Sequence, residues 1–131
     1  MQTQLNITGL LLIALALMHV FFPKYFNWKE QLSTLSIINR QMMYVHSFFI
    51  AFVVMLMGLL CLTSASDLLT TALGKRISLW LGIFWTIRLL IQFFGYSSQN
   101  WKGKSFETTV HFLLSLLWIY FSTVFYLAFG Y

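Results

Sequence analysis

The stretch FETTVHFLLSLLWIYFS, from Phe106 to Ser122, decides how the chain is read. It is apolar enough to cross a bilayer, yet it carries Glu107, His111, Ser115 and Ser122. On a helix the spacing of these four residues keeps them on one face, and Trp118 fills the gap between the two serines. Polar groups turned toward lipid hydrocarbon are costly, so this stripe is expected to face protein. The other apolar runs of the chain should therefore offer polar residues at a matching depth.

Composition sets the class. Of 131 residues, 60% are hydrophobic and 8% are charged, whereas a soluble domain of this size carries about 25% charged residues. So few charges cannot cover a water-facing surface, and the chain reads as an integral membrane protein of a multi-pass inner or plasma membrane. The formal charge of +5 suits loops lying against an anionic leaflet and gives no reason to invoke nucleic acid. One cysteine, Cys61, excludes an intramolecular disulfide and a cysteine-rich metal site. The first 23 residues hold no Lys or Arg, so the first apolar run reads as a retained helix and not as a signal peptide.

Four spans are predicted, at 5–22, 42–62, 77–96 and 107–129, in one all-α membrane domain over 1–131. The expected fold is an antiparallel four-transmembrane-helix bundle. Pro23 should stop the first span. Asn27 followed by Glu30 matches a helix cap, and Trp28, Leu32, Leu35 and Ile38 share one face. A short interfacial helix over 28–38 is therefore expected between the first two spans. Ser66 should cap a turn at Asp67 and Gly74 should end it, while Ser105 should cap the fourth span. The third span carries Arg88. Its eleven Ile, Leu and Phe residues favour insertion by about 3–7 kcal/mol and one central Arg costs about 2.5–3.5, so insertion wins and Arg88 needs a partner or an aqueous cavity.

The basic residues give an orientation. Loops one and three hold Lys24, Lys29, Arg40, Lys102 and Lys104, while loop two holds Lys75 and Arg76. This bias puts loops one and three in the cytoplasm and both termini outside. At about 1.5 Å per residue, His19, His46 and His111 then lie roughly 6–9 Å in from the same side on three helices, with Gln92 at about 6 Å and Arg88 at about 12 Å. Arg88 and Gln92 are four residues apart and share a face, which Trp85 and Gly95 continue.

The candidate site is accordingly His19, His46, His111, Arg88, Gln92 and Glu107. Three chemistries suit it. His19, His46 and His111 are candidate ligands for a divalent transition metal, and two of them could hold a haem with Arg88 or Arg40 near its propionates. No His-x-x-x-His spacing and no Gly-rich helix supports that reading. The cluster could instead relay a proton or hold an anion or lipid headgroup, as a small proton-coupled or anion-binding transporter would. The third reading is a structural network that keeps short helices in register within a small membrane subunit. Nucleophilic catalysis lacks a third member beside Ser115 and His111, and Gly74-Lys75 lacks the rest of a phosphate loop, so the chain reads as non-enzymatic. Its expected partners are the lipid bilayer and a second copy or a larger membrane complex. Size and span number are shared with small multidrug exporters, fluoride channels and the small anchor subunits of respiratory complexes. The first of these should carry a Glu in its first span, and this chain has none there.

Overall fold

In a computed structural model, which describes residues 1–95 and 103–131, the chain is all-α, and no strand occurs among the described residues. Helix α1 is Gln2–Met18, and a 3₁₀ turn over His19–Phe21 leads into α2, Phe22–Tyr25. Then come α3 (Trp28–Gln31), α4 (Ile37–Thr63), α5 (Ala65–Thr70), α6 (Ala72–Phe94) and α7 (Ser105–Phe129). Four helical runs are long and apolar enough to cross a membrane: Gln2–Tyr25, Ile37–Thr63, Ala72–Phe94 and Ser105–Phe129. The all-α class and the four spans expected from composition are those observed. Tyr96 at the end of the third span, together with Trp101 and Lys102 of loop three, lies outside the described residues.

The element boundaries differ from the sequence reading, each for a local reason. Pro23 does not stop the first run; it sits in the first turn of α2, where its missing N–H has no helical partner to lose. Asn27 precedes α3 with φ 54° and gives no side-chain cap; its Nδ2 instead donates to Glu30 Oε2 at 2.9 Å. The helix expected over 28–38 is therefore a single turn, α3. Ser36 then caps a new helix by accepting from Asn39 N, so Ile37 and Ile38 belong to α4. At the next junction Thr71, not Ser66, is the cap: its Oγ1 accepts from Gly74 N at 2.9 Å. Gly74 opens α6 where it was expected to close a turn, because a Cβ there would meet the Asp67 carbonyl. Ser105 is the first residue of α7, which follows Lys104 without a side-chain cap.

The chain forms two compact units, one of residues 3–65 and one of residues 1–2 with 66–131. In the first, α1 and α4 run antiparallel with their backbones in contact. A Cβ on Gly9 would stand 2.8 Å from the Gly58 carbonyl oxygen, and one on Gly58 would stand 2.8 Å from that of Gly9. Lipid supplies no hydrophobic drive between helices, so such glycine-enabled approach is what packing in a membrane uses. At the end of this pair Trp28 is buried, with its ring edge-on to Tyr44 at 5.4 Å.

In the second unit α6 and α7 are also antiparallel, since positions 82, 85, 88 and 92 of α6 meet successively earlier positions of α7. The ring of Tyr126 fills the space a side chain at Gly82 would take, and its hydroxyl shares a 2.8 Å hydrogen bond with Thr86 Oγ1. Phe121 and Phe125 are fully buried, and Trp85 meets Phe121 at 5.0 Å. This pair positions the polar residues described next.

Candidate functional site

Steps of three and four along α6 bring Trp85, Arg88 and Gln92 to one face, and α7 answers with His111 and Trp118. Gln92 is 5% exposed and stands at the centre. Arg88 Nη1 donates to Gln92 Oε1 at 3.1 Å, and Trp118 Nε1 donates to the same oxygen at 3.4 Å. Gln92 Nε2 lies 2.9 Å from His111 Nδ1.

These contacts fix hydrogen positions. Arg and Trp are donors only, so the Gln92 atom they share must be its carbonyl oxygen. The amide nitrogen then donates to His111, whose Nδ1 is an acceptor and whose ring proton sits on Nε2. The result is a directed chain from Arg88 through Gln92 to the imidazole, in which each bond polarises the next.

Aromatic rings enclose this chain. The Arg88 guanidinium carbon lies 5.1 Å from the Trp118 ring centroid, a cation–π contact worth about 0.5–2 kcal/mol depending on desolvation. Trp85 stacks on Trp118 at 5.1 Å with 15° between the planes, and Phe93 sets its ring edge-on to His111 at 5.8 Å. Trp85 is 2% exposed, and its indole N–H meets no acceptor among the described residues. A buried open donor costs about 1–3 kcal/mol.

The six residues singled out in the sequence divide between the two units. Arg88, Gln92 and His111 meet as described. Glu107 is half-buried in the first turn of α7, where a carboxylate complements the helix N-terminus. In the other unit His19 Nδ1 pairs with the Leu15 carbonyl at 2.8 Å, and His46 Nδ1 with that of Met42 at 2.7 Å. Each of these two rings thus donates to a carbonyl of its own helix and carries its proton on Nδ1 when neutral. Among the described residues no group of three or more His, Cys, Asp or Glu side chains is arranged to hold a metal ion. Ser115 and Ser122 return their hydroxyls to the carbonyls of His111 and Trp118, so the cross-helix bonds of the α7 stripe come from His111 and Trp118.

Two features escaped the sequence reading. Trp118 was taken as a packing aromatic, yet its N–H joins the polar chain; its place between Ser115 and Ser122 was the available signal. The Gly9–Gly58 approach had no local signal, because the two glycines are far apart in sequence and neither belongs to a repeated small-residue pattern. No protein-family model matches the chain, and no curated protein or solved structure matches it either.

Proposed function

We propose that the protein is a small non-enzymatic membrane subunit in which the Arg88–Gln92–His111–Trp118 cluster locks α6 and α7 in register near one membrane face. Loops one and three are cytoplasmic and the termini lie outside in this reading, and the binding partners are lipid and a second copy or a larger membrane complex. The observation that supports it is the sharing of one buried amide, Gln92, by three side chains on two helices. A register error of one residue would turn His111 and Trp118 away from Gln92 and leave polar groups unpaired in hydrocarbon, where no water can satisfy them.

Gln92→Leu tests the reading. Three bonds of about 0.6 kcal/mol each would be lost, roughly 2 kcal/mol in all. The purified variant in detergent should unfold at a clearly lower temperature than the wild type. An unchanged midpoint would sink the register role. A Soret band or stoichiometric metal in the wild-type protein, lost in His46→Ala or His111→Ala, would replace it with a cofactor-bearing subunit.

A further inference from the structure

The packing role leaves one buried group unexplained. Trp85 is 2% exposed, and its indole N–H has no acceptor among the described residues. Three residues on, Arg88 shares its helix face, and both side chains contact the Trp118 ring. Indole and guanidinium are donors only, and arginine keeps its charge at any physiological pH. The nearby acceptor, Gln92 Oε1, already receives Arg88 and Trp118. We infer that the Trp85–Arg88 face of α6 binds an oxyanion, a carboxylate or phosphate group whose oxygen takes the Trp85 N–H while its charge is held by Arg88. Such a group complements the site in both respects: it brings lone pairs to a donor that has none to meet, and negative charge to a cation set in an apolar helix. A cation or a donor-only ligand would satisfy neither.

The oxyanion has two possible sources, an amphiphile from the bilayer or a free anion from water, and the test separates them. Protein labelled with ¹⁵N at the indoles is placed in phosphatidylcholine nanodiscs, and its five tryptophan signals are assigned with single Trp→Phe variants. The probes are phosphatidate and oleate added to the bilayer and inorganic phosphate added to the buffer. The Trp85 N–H resonance should move downfield and saturate. A response to phosphatidate or oleate assigns a lipid source, and a response to phosphate assigns a free anion. Arg88→Gln should weaken the response at least tenfold, and Arg88→Lys, which keeps the charge but loses the planar fork, should weaken it less. No saturable shift with any of the three probes overturns the inference, as does an affinity unchanged in Arg88→Gln. The wild-type signal reports on Trp85 directly, so the conclusion stands even where a variant misfolds.

Discussion

At Gln92 one amide decides the chemistry of three neighbours, because Arg88 and Trp118 can only donate and His111 must then accept. Residue-scale sterics are as decisive at the two glycine contacts. A Cβ on Gly9 would meet backbone, the Gly58 carbonyl at 2.8 Å, whereas a Cβ on Gly82 would meet ring carbons of Tyr126 at the same distance. A backbone can yield only if two helices part, while a ring can swing. Gly9→Ala should therefore destabilise by about 1–3 kcal/mol, the range for overpacking. Gly82→Ala should cost less, since the helix propensity of Ala returns up to about 1 kcal/mol. Thermal midpoints in one detergent would rank them, and a larger loss in Gly82→Ala would contradict the close α1–α4 approach. Arg88, Gln92 and His111 were legible in the sequence because polar residues stand out in an apolar run and helical spacing gives their face. Trp85 and Trp118 were not, since an indole counts as apolar although it carries a donor.

Among the elements, the short junction between α5 and α6 depends on one side chain. Thr71 Oγ1 accepts from Gly74 N and donates to the Asp67 carbonyl, so it ends one helix while starting the next. Thr71→Ala should cost about 0.5–2 kcal/mol, and Thr71→Ser should restore most of it. Faster hydrogen exchange at the amide of Gly74 in Thr71→Ala, reversed in Thr71→Ser, would localise the effect; equal protection in all three would refute the cap. Boundaries such as this one were poorly legible. Ser66 and Thr71 are both good caps by type, and the choice rests on the tight fit of Gly74 against Asp67, a contact formed only once the chain has turned. Pro23 misled for a related reason: the residue that breaks a helix interior is well suited to the first turn of a new one.

For the whole molecule, composition alone made the class legible, because 8% charge leaves no way to build a water-facing surface. Depth counting was a coarser instrument. It identified polar residues at similar levels on several helices but not their bonds, and His19 and His46 turned out to pair with their own helices. The proposed orientation is open to a direct test. In a Cys61→Ala background, Arg76→Cys should react with a membrane-impermeant maleimide in intact cells, and Lys104→Cys should react only after the membrane is opened. The opposite pattern would invert the topology. The lengths of the spans carry a last consequence. At 1.5 Å per residue the 27 residues of α4 and the 25 of α7 extend about 40 and 38 Å, against a hydrocarbon thickness of about 30 Å. Both helices must tilt, extend into the headgroups or thicken the lipid around them, and the hydrophobic mismatch grows as the bilayer thins. The protein is thus matched to thick membranes, and bilayer thickness becomes a variable that sorts it between compartments and biases the angle at which its helices stand.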